Sequence, residues 1–300
     1  MSSTKERIDI LLVEQGFYDS REKAKAAIMA GLVFANDEPI DKPGMKLLRT
    51  ANLRVKGATH PYVSRGGLKL EKALHDFKID IQHQVMIDIG ASTGGFTDCA
   101  LRHGVEFVYA IDVGHNQLDW SIRNHPRVKV MEKTNFRYMK PQDLQGRPPT
   151  FATIDVSFIS LSLILPPLQA ILAYTSEVIA HTSPVLAHPS QVVALIKPQF
   201  EAGRDKVGKS GVIRDAHIHR EVLETILLMA HQLHYHLQGL TFSPITGGEG
   251  NIEFLAYWQF GAIEIHHPSS HIDPREFKNM IDHVVKEANA YHHEKVSHEK

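Results

Sequence analysis

Residues Asp88 to Phe96 read Asp-Ile-Gly-Ala-Ser-Thr-Gly-Gly-Phe, directly after the apolar run Val85-Met86-Ile87. A short buried strand followed by a glycine-rich turn and a helix pattern (Phe96, Ala100, Leu101) admits few folds. The turn lets backbone approach a ligand, and the helix N-terminus adds free N–H donors. The spacing is not Gly-x-Gly-x-x-Gly, which disfavours plain dinucleotide binding. Gly90, Gly94 and Gly95 are expected to line a ligand whose space a side chain would fill, with Ser92 and Phe96 in the same turn. Asp88, two residues before the first glycine, suits a ligand carrying an amino group or a cation. A second apolar run, Phe107 to Ile111, ends at Asp112, about 20 residues on, where a carboxylate would hold ribose hydroxyls. S-adenosylmethionine carries a ribose, an ammonium and a sulfonium, and so matches both features. Asn135, after the third strand, is a candidate to face adenine or to cap a loop.

From Val85 onward, apolar runs alternate with helical stretches. Strands are expected at 85–89, 106–112, 127–131, 151–156, 191–196, 238–243 and 252–258, and helices at 95–103, 116–124, 160–173 and 216–236. This predicts an α/β fold with a Rossmann-like, mostly parallel seven-stranded sheet. The last two strands are separated only by the loop Thr246–Asn251, so the last runs antiparallel. Residues 1–60 form a separate small module, 61–265 the body, and 266–300 a polar tail with one helix at 274–290, whose apolar stripe would pack on the body.

In the first module, Ile8, Leu11 and Leu12 recur at helical spacing and Gly16 stops the pattern. Asp19 or Ser20 can cap a second helix, Arg21–Ala30, which ends at Gly31. A small sheet follows. Residues 1–78 hold 14 Lys and Arg against 10 Asp and Glu, while the remaining residues are net acidic, so the front of the chain suits a polyanion. Arg7-Ile8-Asp9, Leu12, Gly16, Ser20-Arg21, Ala24, Ile28, Gly31, Val33, Asn36 and Lys42-Pro43 together resemble the S4 RNA-binding domain. The resemblance implies RNA contacts from Arg7, Arg21, Lys23, Lys25 and Lys42. Arg65, at the entrance of the next helix, is a further anion-binding candidate.

Parallel sheets bind ligands at the carboxyl ends of their strands. Asp155 follows Ile154, Lys197 follows Ile196, and Glu253 opens the last strand at the same edge. With Lys69 they make the order Lys-Asp-Lys-Glu. The segment 62–258 resembles the FtsJ-like methyltransferases that modify ribose 2′-hydroxyls, which carry that tetrad. Joined to an S4 module, with Ser64-Arg65-Gly66-Gly67, Lys197-Pro198-Gln199-Phe200-Glu201 and Gly250-Asn251-Ile252-Glu253-Phe254, the chain resembles the TlyA family, whose members are often labelled hemolysin A. The resemblance implies an S-adenosylmethionine-dependent 2′-O-methyltransferase acting on cytidine of ribosomal RNA. Amine bases work only where neighbouring cations and burial disfavour their charged form. On that logic Lys197 is assigned as the base and Asp155 as its orienter, with Lys69 and Glu253 positioning the 2′-oxygen. The alternative within the site is that Lys197 keeps its proton and the residues only position the reactants.

The single cysteine, Cys99, excludes a disulfide framework and a cysteine-based zinc site, and it is expected to be buried. The clustered histidines (His231, His234, His236; His266-His267; His292-His293) lack acidic partners at metal spacing and are expected in solvent, with no metal bound. Gly203–Gly211 lacks P-loop spacing and is read as a mobile loop facing RNA. No apolar run of membrane length and no secretory leader stand out, so a cytoplasmic location and no membrane partner are expected. Two other functions compete: a ribosome-binding factor without turnover, and a cytolysin, as the hemolysin label suggests.

Overall fold

The computed structural model describes residues 5–14, 17–18, 21–36, 38–49, 51, 53–55, 60–144, 146–182, 189–208, 211–247, 250–261 and 274–298. These fall into two units, Met1–Val63 and Ser64–Lys300.

In the first unit, β1 (Lys5–Arg7) leads into α1 (Ile8–Glu14) and α2 (Arg21–Met29), followed by β2 (Val33–Ala35), β3 (Glu38–Pro39), β4 (Lys46–Leu48) and β5 (Leu53–Val55). The helical stripes Ile8, Leu11, Leu12 and Ala24, Ala27, Ile28 bury one another with Val33 and Ile40. The one small sheet expected from sequence is two: β1 pairs antiparallel with β4, and β2 pairs antiparallel with both β3 and β5. Gly31 adopts φ +69° just after α2, and the N–H of Leu32 donates back to Ala27 O at 3.0 Å, a left-handed helix stop. The stop at Gly16 and the caps Asp19 and Ser20 lie outside the described residues.

Asp9 is fully buried. Its carboxylate accepts from Arg7 Nε at 2.9 Å and from Arg21 Nη2 at 2.9 Å. The Arg7 hydrogen bond holds the carboxyl down at about 2, against burial and with help from Arg21. Two of the cations expected to meet RNA are thus also ion-paired inside the module.

The second unit carries one sheet of β6 (Val85–Ile89), β7 (Phe107–Ile111), β8 (Val128–Met131), β9 (Phe151–Ile154), β10 (Ser190–Ile196), β11 (Tyr235–Phe242) and β12 (Phe254–Phe260). Its spatial order is β11-β12-β10-β9-β6-β7-β8. The pairs from β10 to β8 are parallel, and β12 lies antiparallel between β10 and β11. Around it run α3 (Gly67–Asp76), α4 (Gly95–Arg102), α5 (Trp120–Arg123), α6 (Leu165–Thr182), α7 (Pro198–Glu201), α8 (Ala216–Gln232) and α9 (Pro274–His298).

Alternation fixes which residues go where. Ile87, Ile89, Val192, Ala194, Phe254, Ala256 and Trp258 share one core with α6, α8 and α9. On the α3 side, Phe77 stacks on Tyr257 at 5.6 Å, and a Cβ on Gly239 would sit 2.5 Å from the Phe77 ring. The register shift between Leu237 and Gly239 makes that room.

Several boundaries move. The helix expected at 116–124 contracts to α5. The helix expected at 160–173 shifts to α6, with Pro166 and Pro167 in its first turn, where a missing N–H costs nothing. α8 stops at Gln232 because His234 adopts φ +62° and starts β11 early. α9 runs past residue 290, with Ile281, Val284, Val285 and Ala288 in the main core and Arg220 of α8 on Asp282 at 2.5 Å.

Replacing Asp9 by Ala should lower the stability of the first unit by about 1.5–3 kcal/mol, the range for hydrogen bonds to charged groups. Amide hydrogen exchange on the full chain checks this: protection in α1 and α2 should fall while protection in β6 and β9 holds.

Candidate active site

The carboxyl edge of the sheet gathers the polar residues. Strand hydrogen bonding continues into the loops: Gly90 N–H donates to Ile111 O at 2.9 Å, Asp155 N–H to Ile89 O at 3.0 Å, and Asp112 N–H to Met131 O at 3.1 Å. Ile196 is registered against Phe254, so Lys197 and Glu253 leave neighbouring strands at the same level.

Four charges alternate across this edge. Lys197 Nζ lies 2.5 Å from Asp155 Oδ1, Lys69 Nζ lies 3.8 Å from Asp155 Oδ2, and Lys69 Nζ lies 2.7 Å from Glu253 Oε2. Lys69, Lys197 and Glu253 are buried, and the Asp155 side chain is 19% exposed. Burial pushes the Asp155 carboxyl up, but Lys69 and Lys197 together outweigh it and hold the group below the ordinary carboxylate value. Unpaired buried charges are costly, and alternation gives each cation an anion.

Two cavities meet at this array. One, of about 280 Å³, is lined by Gly90, Asp112, Asn135 and Phe136 among others. The other, of about 500 Å³, holds Arg65, Lys69, Lys197, Gln199 and Glu253. Ser92, Asp155, Ser157 and Phe158 belong to both. Phe158 is 91% exposed at φ +62° and packs on Phe200 at 5.0 Å.

In the smaller cavity, Asp112 accepts from Ser92 N at 2.8 Å and Gly114 N at 2.7 Å, one bond to each oxygen. Each oxygen keeps a lone pair, which suits a vicinal diol. Asn135 caps the turn at Phe136–Tyr138 by accepting from Arg137 N at 3.2 Å, and it also lines the cavity. Ile89, Ile111, Ile159 and Ile164 supply an apolar wall. Carboxylate, amide and apolar wall fit a nucleoside-bearing cofactor.

The glycines act differently from expectation. A Cβ on Gly90, at φ +87°, would sit 2.5 Å from the Asp155 carbonyl oxygen. One on Gly94, at φ +98°, would meet Leu118 at 3.0 Å, and one on Gly95 would meet Ser64 Oγ at 2.3 Å. These positions make room for protein, and of the three only Gly90 lines the cavity. Asp88 and Phe96 are buried and are not among the residues lining either cavity. Asp88 takes hydrogen bonds from Thr97 Oγ1 at 2.6 Å and Thr153 Oγ1 at 2.8 Å, so its carboxylate serves the turn from below. Arg65 is exposed beside Lys69 in the larger cavity, while Lys23 and Lys42 are exposed and Lys25 is half-buried in the first unit.

Other residues supporting the site escaped the sequence reading. Lys197 Nζ donates to Ser157 Oγ at 3.2 Å, and Gln199 Nε2 to Glu253 Oε1 at 3.3 Å. Glu201 accepts from Ser160 Oγ at 2.6 Å and Leu161 N at 2.8 Å, which ties α7 to the turn after Asp155. Burial pushes its carboxyl up. Asn251 accepts from Ile213 N at 3.0 Å and donates to Gly211 O at 2.9 Å, anchoring the end of the Gly203–Gly211 loop. Lys209 and Ser210 of that loop lie outside the described residues. The motifs around Lys197 and Glu253 contained Gln199, Glu201 and Asn251, but Ser157 carries no periodic signal. Cys99 is buried, as expected. His292, expected in solvent, is also buried, because its ring packs on Phe242 and Tyr291. His266 and His267 lie outside the described residues.

A parallel sheet with a cofactor-type cavity beside a Lys-Asp-Lys-Glu array defines a methyltransferase of the FtsJ-like class, and residues 62–260 match the FtsJ-like methyltransferase family while residues 6–52 match the S4 domain. With both parts on one chain and the relatives below, the chain belongs to the TlyA family. It is 50% identical over 289 residues, 96% of this chain and 95% of the relative, to a Bacillus subtilis protein provisionally named rRNA methyltransferase YqxC. It is 37% identical over 252 residues, 84% of this chain and 88% of the relative, to the 16S/23S rRNA (cytidine-2'-O)-methyltransferase TlyA of Mycobacterium tuberculosis. A solved Streptococcus thermophilus protein, provisionally named a hemolysin, covers 100% of both chains at 46% identity and a TM-score of 0.71. Among the described residues no helix is long and apolar enough to cross a membrane.

Burial pushes the Asp88 carboxyl up to about 6, against the two threonine hydrogen bonds. Its folded-state value therefore exceeds the unfolded one, so its favourable contribution is complete below about pH 4 and is lost as pH rises through 6. Asp88→Asn removes the titration. Relative to the parent, the variant should gain up to about 3 kcal/mol of stability between about pH 4 and pH 8. Urea unfolding of both proteins at the two pH values checks this; a constant difference contradicts it.

Proposed function

We propose that this chain is an S-adenosylmethionine-dependent RNA methyltransferase that methylates a ribose 2′-hydroxyl, on cytidine in ribosomal RNA. The observation that carries the reading is the shared wall between the two cavities: Asp155 belongs to the cavity with cofactor-type groups and to the one with both lysines. S-adenosylmethionine would supply an electrophilic methyl group held on a sulfonium. Asp112 would hold its ribose hydroxyls, and Asn135 with the isoleucine wall its adenine.

The remaining work falls to this chain's side chains. A ribose hydroxyl attacks only as its proton leaves. Once its ammonium has given up a proton to solvent, Lys197 Nζ takes the proton from the 2′-oxygen as a neutral amine, and Asp155 at 2.5 Å aims it. With the cofactor bound, the oxygen–methyl bond would form as the sulfur–methyl bond broke, and the proton would pass to Lys197 and then to solvent. Lys69, fixed by Glu253 at 2.7 Å, orients the same oxygen. Arg65 and the cations of the S4 domain bind phosphates and give affinity rather than chemistry.

Methyl transfer from labelled cofactor to ribosomal RNA, with primer extension to map the modified ribose, tests the reading. No transfer to any ribosomal substrate would leave an RNA-binding factor without turnover. Lys197→Ala should keep cofactor affinity within about twofold and lose turnover by roughly 100-fold or more. Lys197→Arg should not rescue it, because a guanidinium stays protonated. A near-parental rate in the arginine variant would leave positioning as the account. Asp112→Ala should weaken cofactor binding by about 1.5–3 kcal/mol in calorimetry.

A further inference from the structure

The carboxyl-terminal helix α9 begins at Pro274, beyond the residues 62–260 matched by the methyltransferase family. Its last turns lie against the segment that leads into Glu253. His292 Nε2 is 3.0 Å from the carbonyl oxygen of Ser243, so the nitrogen carries the proton and donates. Tyr291 Oη donates to the carbonyl of Pro244 at 3.4 Å. Both rings pack on Phe242, at 5.3 Å from Tyr291 and 6.0 Å from His292. Ser243 and His292 are buried, where a hydrogen bond is hard to exchange for water.

From Ser243 two short routes reach the site. Ser243 N–H donates to the carbonyl of Glu253 itself at 2.8 Å. Four residues on, Gly247 N–H donates to Asn251 O at 2.8 Å. Gly247 lies so close to the Glu253 carboxylate that a Cβ there would be 2.1 Å from Oε1. The loop 243–247 is therefore a wall against which Glu253 rests while it holds Lys69. The same ring cluster bears on the helix that carries Lys69: Lys72 Nζ sits 4.9 Å over the Phe242 ring, and Thr241 Oγ1 donates to Asp76 Oδ2 at 3.3 Å.

We infer that the end of α9 is a positioning element of the methyl-transfer site, and that His292, through Ser243 and the 243–247 loop, sets the orientation of Glu253 towards Lys69. The inference rests on the methyltransferase reading above. His292 touches neither cavity and no reacting atom; it is a positioning residue that acts through Glu253. Misplacement of about 1 Å by a distant residue is enough to cost up to two orders of magnitude in rate.

The full chain is assayed for methyl transfer to ribosomal RNA as parent, His292→Ala, His292→Gln and Ile281→Ala. An inactive parent would sink the methyltransferase reading itself and is recognised before any variant is compared. With an active parent, His292→Ala should lower kcat roughly 10-fold or more, with cofactor affinity unchanged and melting well above the assay temperature. His292→Gln, whose Nε2 can donate to the same carbonyl, should recover most of that loss. Ile281→Ala trims an α9 core anchor far along the helix from Ser243, and should lower the melting temperature while leaving kcat near parental below it. A parental kcat in His292→Ala overturns the inference. So does a loss that glutamine fails to restore, or one that Ile281→Ala reproduces, since each makes the effect one of general stability.

Discussion

Asp155 sits between two ammonium groups at the end of a parallel strand, and much of the carboxyl-terminal unit is arranged so that it can. Its carboxylate faces Lys197 at 2.5 Å and Lys69 at 3.8 Å. Its main chain presses on the turn after β6, where only glycine fits: the Gly90 position leaves 2.5 Å between a notional Cβ and the Asp155 carbonyl oxygen. The glycine turn and the charge array are thus one constraint seen from two sides. Widening the turn would separate the cofactor-type cavity from the lysines. Removing either lysine would leave a carboxylate of the array without one of its cations.

Support for the array comes from several directions, and each support joins segments far apart in the chain. Glu201 reaches back to Ser160 and Leu161, Asn251 reaches back to Gly211 and Ile213, and Gln199 crosses to Glu253. Catalytic loops are often the softest parts of a fold. Here they are tied by buried and half-buried side chains that give the reacting groups fixed neighbours, the arrangement expected where rate depends on angle and distance.

The strand-end residues could be read from sequence because strand ends are marked twice, by an apolar run and by the polar residue that stops it. Asp112, Asp155 and Lys197 all carry that mark. Glu253 follows from the antiparallel turn before it, which opens the last strand at the same edge. The alternating core and the seven strands follow from the same period. What could not be read depends on contacts between distant segments. The helix expected from residue 160 starts later because Leu161–Leu163 forms a separate turn that feeds Pro166 and Pro167 into the first turn of α6. Gly94 and Gly95 look like ligand contacts, yet what limits them is Leu118 and Ser64. Asp88 reads as a ligand for a cation until Thr97 and Thr153 close around it. His292, in polar sequence, gives no sign that Phe242 and Ser243 will bury it.

The place of β12 in the sheet has a consequence for the order in which the molecule is built. Among the described residues β11 pairs only with β12, and β12 is inserted between β11 and β10. During synthesis, β6 to β10 can pair as each parallel crossover is completed. β11 leaves the ribosome with no strand beside it, and β10 keeps an open edge, until residues 254–260 follow. An unpaired edge is an aggregation hazard; that of β11 persists only while the short loop and one more strand are made, whereas that of β10 also waits for α7, α8 and β11. The same closing step delivers Glu253. A nascent chain therefore carries both lysines and Asp155 for some time before the fourth charge arrives, and the site is completed only when the sheet is.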